Sequence, residues 1–302
     1  MIGIDVGGTR IKAGRVDEHG RVLAEAVVEV GDARSPDDIV KNLVDLIDQL
    51  EPGGKAPVGV AAAGVLDARQ GLVRESPNFP SWRDFPLGAR VAAETGRKVV
   101  LENDANAVVW GEAVAGAGRG FGTLVGYTLG TGIGGGIVLD HHLWRGVRGM
   151  AGELGHVTVV PDGRPCGCGN HGCLEQYAGS VGLVKTLAAS TGPLAALAAD
   201  PGHAAHHLAE RAHAGDPEAR AIFAQAGRYL GQAAAALVHT LDLTLIVLCG
   251  GVGEGAFDLI APAMDQELVA RTFRSMGAGV TIRKGELGPA AGIIGAALLA
   301  AR

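Results

Sequence analysis

The spacing of hydrophobic positions changes along this chain, and each change marks an element. A short apolar run, Ile2 to Val6, is followed by a glycine turn and then by Ile11 to Val16 and Val22 to Val30, so three antiparallel strands are expected first. Ser35-Pro36-Asp37-Asp38 supplies an N-cap, a proline at the first helical position and two acids in the first turn. Ile39, Val40, Leu43, Val44, Leu46, Ile47 and Leu50 then keep to one stripe, which predicts a helix stopped by Pro52-Gly53-Gly54. Val58 to Ala63 and Val99 to Leu101 read as buried strands, separated by a glycine- and proline-containing loop and a short helix from Leu87 to Glu94.

The second half repeats this opening. Ile4-Asp5-Val6-Gly7-Gly8 aligns with Tyr127-Thr128-Leu129-Gly130-Thr131 at an offset of 123 residues, and an apolar second strand, Ile137 to Leu139, follows. Two βββαβ-like units are expected, each with a glycine turn after its first strand, forming two lobes whose turns face one cleft. Helices are expected at Glu175 to Ala189, Ala204 to Ala214, Pro217 to Thr240, Ala256 to Arg271 and Pro289 to Ala301, and a strand at Leu243 to Cys249. The expected division is a smaller α/β lobe over 1–111, with the helix of 289–302 packing on it, and a larger α/β lobe over 112–288.

Composition narrows the class. With 47% hydrophobic and 19% charged residues, the 302-residue chain is expected to be soluble and globular rather than disordered. Its formal net charge of −6 argues against nucleic acid or an anionic membrane as partner. Met1 to Asp5 lacks the basic start of an export signal, and the long uncharged stretch Phe121 to Leu139 holds seven glycines, which suits strands rather than a membrane helix. A cytoplasmic protein is expected. Glycine is abundant, 49 residues in all, roughly twice the usual share, and it clusters in short runs.

Those runs are where chemistry starts. In Asp5-Val6-Gly7-Gly8-Thr9-Arg10-Ile11-Lys12 and in Leu129-Gly130-Thr131-Gly132-Ile133-Gly134-Gly135-Gly136, glycine lets consecutive backbone N–H groups form a concave nest for a phosphate. One such turn alone reads more readily as a plain tight hairpin; two, one per repeat, raise the case for a nucleotide. Neither matches a P-loop or a dinucleotide fingerprint. Asp104 falls where the strand ending near Leu101 meets a helix of small residues. Alone it reads as an N-capping acid, a role compatible with accepting a proton from a substrate hydroxyl. His156, Cys166, Cys168 and Cys173 offer one imidazole and three thiolates, a closed tetrahedral set for structural zinc. His171 lies too near Cys173 in sequence to join it. Glu153 and Glu175 flank that loop as candidate acceptors for polyol hydroxyls, or as solvated surface acids. His141, His142, His203, His206 and His207 are assigned no chemistry, and Cys249 is expected to pack in a buried strand.

Taken together, these motifs resemble the ROK family of sugar kinases and sugar-responsive repressors. The resemblance spans essentially the whole chain: the Asp5 to Thr9 turn, Glu102-Asn103-Asp104-Ala105, the Gly130 to Gly136 turn, Glu153-Leu154-Gly155-His156, Cys166-Gly167-Cys168-Gly169, Gly172-Cys173-Leu174-Glu175 and Gly250-Gly251-Val252. It implies a two-lobed actin-like ATPase (ribonuclease H-like) fold with a duplicated βββαβα unit. Ser76-Pro77-Asn78-Phe79-Pro80-Ser81-Trp82 resembles the glucokinase pattern more than the fructokinase one. By that resemblance Asp104 is the base for the sugar 6-hydroxyl, and Gly64, Asn78, Asn103, Glu153, His156 and Glu175 line the sugar site. Gly7, Gly8, Thr9, Lys12, Thr131, Gly132, Gly250 and Gly251 border ATP, and Asp5 acts near Mg²⁺.

The expected activity is therefore ATP- and Mg-dependent phosphorylation of glucose. The alternatives are a kinase for N-acetylmannosamine, N-acetylglucosamine, fructose or mannose, polyphosphate as donor, or a non-catalytic sugar sensor. A repressor would need a helix-turn-helix ahead of the first turn, which here begins five residues from the start. The resemblance also implies a homo-oligomer, a dimer or tetramer.

Overall fold

The computed structural model describes residues 1–31 and 34–302. Strands β1 (Ile2–Val6), β2 (Arg10–Val16) and β3 (Val22–Glu29) form an antiparallel meander. Helix α1 (Pro36–Leu50) starts at the expected cap, where Ser35 Oγ accepts the Asp38 N–H at 3.2 Å, and it buries Ile39, Leu43 and Ile47 against the meander. β4 (Val58–Ala62) then pairs in parallel with β1.

The next stretch departs from the expected loop. It folds into a small antiparallel sheet of β5 (Val65–Asp67), β6 (Leu72–Glu75) and β7 (Arg83–Phe85). Arg74 on β6 pairs with Asp67 at 3.0 Å and Asp84 at 2.6 Å. Phe79 and Trp82 stack with ring centroids 4.4 Å apart and are buried. Strands of three or four residues carry too little period to be read from sequence. α2 (Leu87–Thr95), β8 (Val99–Asn103) and α3 (Asp104–Ala115) follow. The first sheet has the order β3-β2-β1-β4-β8.

The duplication is visible in the topology. β9 (Leu124–Leu129), β10 (Ile133–Leu139) and β11 (His142–Leu143) repeat the meander. The helix expected from Glu175 is broken into α4 (Glu175–Ala178) and α5 (Ser180–Ala188) at Gly179, which is extended. α6 (Ala204–His213) and α7 (Pro217–Leu241) lead to β12 (Leu245–Cys249). α8 (Gly250–Gly255), α9 (Phe257–Arg271), α10 (Arg274–Gly277) and β13 (Thr281–Lys284) come next. The second sheet is ordered β11-β10-β9-β12-β13, the same plan as the first.

The chain ends in α11 (Ala291–Ala300), which is buried on every side. It packs on β1, β4 and α3 so closely that a Cβ on Gly3 would lie 1.9 Å from the Ile293 carbonyl oxygen, and one on Gly59 1.8 Å from that of Ala296. By internal contacts the chain forms two units, one of residues 1–120, 136–152 and 289–302, the other of 121–135 and 153–288. Residues 136–152 thus join the first unit, whereas the sequence reading divides the chain near residue 111. Among the described residues, no helix is long and apolar enough to cross a membrane.

Candidate active site

In the first unit the site grows from the ends of β1, β4 and β8. Asp5 stands in register with Lys12 on β2 and Ala61 on β4. After β1 the chain turns tightly, with the Gly7 N–H donating to the Arg10 carbonyl at 3.0 Å. A Cβ on Gly8 would sit 2.9 Å from Asn78 Oδ1, so Asn78 lies directly against this turn. Burial pushes the Asp5 carboxyl up to about 6, the neighbouring Asp104 charge adds to the rise, and Lys12 opposes it.

At the β8–α3 junction the structure corrects one expectation: Asn103, and not Asp104, is the N-cap. Asn103 Oδ1 accepts the Asn106 N–H at 3.1 Å, while its Nδ2 donates to the Gly64 carbonyl at 3.2 Å. Gly64 has φ +125°, and a Cβ there would meet the Glu75 carbonyl oxygen at 2.1 Å, which explains the glycine. Asp104 is the first helical residue, and its Oδ1 accepts the Ala105 N–H at 2.9 Å. Burial raises its pKa despite that bond. The carboxylate therefore sits in the first turn of α3, where the helix dipole supports its ionised form.

Behind this junction lies a pair the sequence reading missed. Glu102 is buried, and its Oε1 accepts from the Asn103 backbone N–H and from Asn106 Nδ2, both at 3.1 Å. Its Oε2 accepts from Arg145 Nε at 2.5 Å. Glu102 and Arg145 are far apart in sequence, so no spacing rule pairs them.

In the second unit the candidate metal loop dominates. His156 Nδ1 lies 3.5 Å from Cys166 Sγ, the Sγ atoms of Cys168 and Cys173 are 3.7 Å apart, and the four ligand atoms all fall within 4.8 Å of one another. A tetrahedral zinc with bonds of about 2.0–2.3 Å holds its ligands roughly 3.5–3.8 Å apart, so this donor set fits the ion. Burial pushes the Cys173 thiol up to about 12, whereas a backbone hydrogen bond from Asn170 holds that of Cys168 below its usual value. His171 is exposed and outside the cluster, as expected.

The two flanking acids differ. Glu153 is exposed and lies 3.9 Å from His156 Nε2, so the imidazole presents Nδ1 to the cysteines and Nε2 to the acid. Glu175 opens α4 and turns back to the second glycine turn, where its Oε2 accepts the Ile133 N–H at 3.1 Å. That oxygen occupies the place a Gly132 Cβ would take, 2.0 Å from it. The Ser180 and Val181 N–H groups of α5 donate to the Gly130 and Thr131 carbonyls at 3.0 and 3.1 Å. The turn is thus held from two sides. Gly250, with φ +82°, opens α8 close to the end of β9, where a Cβ would lie 2.7 Å from the Leu129 carbonyl oxygen; Gly251 is exposed beside it.

The first unit therefore carries Asp5, Gly7, Gly8, Thr9, Lys12, Gly64, Asn78, Asn103 and Asp104, and the second carries Thr131, Gly132, Glu153, His156, the metal cysteines, Glu175, Gly250 and Gly251. The first set supplies a buried acid pair beside a glycine turn; the second supplies a braced turn and a candidate zinc centre.

The model of the ROK family matches residues 1–302. A glucokinase of Streptomyces coelicolor is 36% identical over 312 aligned residues, covering 99% of this chain and 96% of that protein. A glucokinase of Thermotoga maritima is 44% identical over 184 residues, covering 61% of this chain and 58% of that protein. Among solved structures, a ROK family glucokinase from Streptomyces griseus in complex with glucose and AMPPNP superposes with a TM-score of 0.82 at 37% identity, covering 100% of this chain and 99% of that one.

Proposed function

The chain belongs to the ROK family, and from that premise we propose that it is an ATP-dependent hexokinase that phosphorylates glucose at the 6-hydroxyl. Two of its relatives are glucokinases by name, and a third was solved with glucose and an ATP analogue. The observation that carries the reading is Asp104, an acid of raised pKa in the first turn of α3, next to the cap residue Asn103.

We assign Asp104 as the base that takes the 6-hydroxyl proton. A carboxyl raised by burial is a stronger acceptor than an ordinary one, while the helix N-terminus favours its ionised form. Phosphoryl transfer passes through a loose, charge-rich transition state, so positioning and electrostatics carry most of the catalysis. Gly64, Asn78, Asn103, Glu153, His156 and Glu175 are assigned to the sugar. The turns at Gly7 to Thr9 and at Thr131-Gly132, with Lys12, Gly250 and Gly251, are assigned to ATP.

Mg²⁺, when bound, neutralises charge on the transferring phosphates, and Asp5 is the carboxylate assigned to it. The mutual repulsion of Asp5 and Asp104 suits a cation there. Zinc is assigned to His156, Cys166, Cys168 and Cys173, where it fixes the ring so that Nε2 remains for a sugar hydroxyl.

A coupled assay of ATP against glucose, mannose, fructose, N-acetylglucosamine and N-acetylmannosamine tests the reading. Glucose is expected to give the highest kcat/KM, with polyphosphate a poorer donor than ATP. Preference for an N-acetyl sugar would move the chain to another kinase, and no turnover of any hexose would leave a sugar sensor.

A further inference from the structure

We propose that Arg145 and Glu102 form a positioning pair that sets the Asn103–Asp104 segment for proton transfer; this rests on the kinase reading above. The Glu102 side chain is 2% exposed, and glutamate is almost never so buried without a partner. Its hydrogen bonds bracket Asp104 along the chain: one oxygen takes the backbone N–H of Asn103 and the amide of Asn106, the other takes Arg145 Nε. A shift of Glu102 therefore moves Asn103, which precedes the base and caps its helix, and Asn106, two residues after it.

Stability alone does not account for the pair. Glu102 is buried but the Arg145 side chain is 30% exposed, and an ion pair open to water on one side adds little to stability, so a purely architectural junction here has no need of charge. The geometry has a purpose if Asp104 is held within a fraction of an ångström, since a misplacement of about 1 Å costs roughly 10²-fold in rate.

Arg145 itself is held from outside the junction. It follows β11 in a loop closed by the Ala151 N–H donating to its carbonyl at 3.0 Å, and Arg69 reaches the adjacent Gly146 carbonyl at 3.4 Å. Arg69, Val100, Leu101, Trp144 and Arg145 line a cavity of about 320 Å³ in the same unit. Arg145 borders that space and its side chain is 30% exposed, so a small cation can enter where the arginine is trimmed away.

This opening makes the proposal testable by chemical rescue. Arg145→Ala is expected to lower kcat by about 10²-fold while the KM for ATP stays within about threefold and that for glucose, which Asn103 also serves, rises far less than kcat falls. Methylguanidinium should restore kcat at least about tenfold, and methylammonium at equal ionic strength should not, because only a guanidinium replaces the planar N–H that Arg145 Nε donates to Glu102. In an Asp104→Asn background, Arg145→Ala should cost less than about twofold further, because a positioning group has nothing left to position. Glu102→Gln, which keeps size and an acceptor oxygen, should lose roughly tenfold in kcat with a cooperative melt, and it covers the case in which Arg145→Ala does not fold.

Hydrogen exchange at the Asn103 and Asn106 amides, expected at least about tenfold faster in Arg145→Ala or Glu102→Gln, reads the pair without any turnover. It separates failure of this proposal from failure of the kinase reading, which a hexose-inactive wild type would reveal. A kcat within threefold of wild type in both variants, full additivity with Asp104→Asn, or unchanged exchange would each overturn the pair's role.

Discussion

The two glycine turns occupy equivalent places in two sheets of the same strand order, yet they are furnished differently. The turn after β1 sits beside an acid of its own strand, Asp5, and against Asn78. At the turn after β9 the position matching Asp5 is Thr128, and the carboxylate comes instead from Glu175, which reaches back from the metal loop to the Ile133 N–H. Duplication has kept the backbone nest and exchanged the source of charge. One copy holds two acids of raised pKa, and the other holds an acid bonded to its own turn.

The sharpest way to break that contrast is to remove the charge assigned to reaction. Because Asn103 carries the cap, Asp104→Asn should fold normally, with kcat reduced about 10³-fold and glucose affinity changed only a few-fold; steady-state kinetics with calorimetry checks both. Turnover near wild type would end the assignment of the base.

Removing the metal tests the other copy. Chelation or Cys168→Ser should weaken glucose binding by about 10²-fold, with metal analysis of the native protein giving about one zinc per chain. Since Glu175 follows Cys173 by two residues and braces the second turn, ATP should weaken too, by about threefold. Normal glucose binding by metal-free protein would detach the loop from sugar recognition.

A smaller perturbation compares the turns directly. A methyl group on Gly132 would take the space of Glu175 Oε2, so Gly132→Ala should raise the KM values for both ATP and glucose by about tenfold. Gly8→Ala meets the Asn78 side chain less closely, at 2.9 Å and beyond, and should cost less. Equal effects of the two substitutions would mean the turns are braced alike.

The smallest effect is on stability. A carboxyl raised from 3.8 to about 6 in the native state binds its proton more tightly there than in the unfolded chain. Its contribution is therefore complete below about pH 4 and disappears as pH rises through 6. Asp5→Asn should stabilise the metal-free protein by about 1 kcal/mol at pH 7.5 and flatten the fall in Tm between pH 4.5 and 7. An unchanged slope would show that Asp5 is not raised.

Much of this was legible in the residues themselves. The Ser35 cap, the α1 stripe and the two strand–turn–strand openings are local patterns, and the chain obeys them. The cysteine spacing likewise announced a cluster that the fold closes. What was hidden depends on partners distant in sequence or on weak periods. β13 is polar and largely exposed, and only its pairing with β12 makes it a strand. The capping exchange between Asp104 and Asn103 turns on one residue of register, since either side chain can cap a helix. The bond from Glu175 to Ile133 and that from Arg145 to Glu102 each join residues more than forty positions apart.

The burial of α11 has a consequence for the order in which the protein can be made. The first unit takes its opening strands from the beginning of the chain and its innermost helix from residues 291–300. While a ribosome is still translating the second unit, the faces of β1 and β4 that receive α11 have no cover, and glycines 3 and 59 leave their backbone bare for it. The second unit has nearly all its residues in one run and can close as it emerges, whereas the first waits for the last helix. Synthesis therefore inverts the sequence order, and the amino-terminal half is an aggregation risk until the carboxyl-terminal helix arrives.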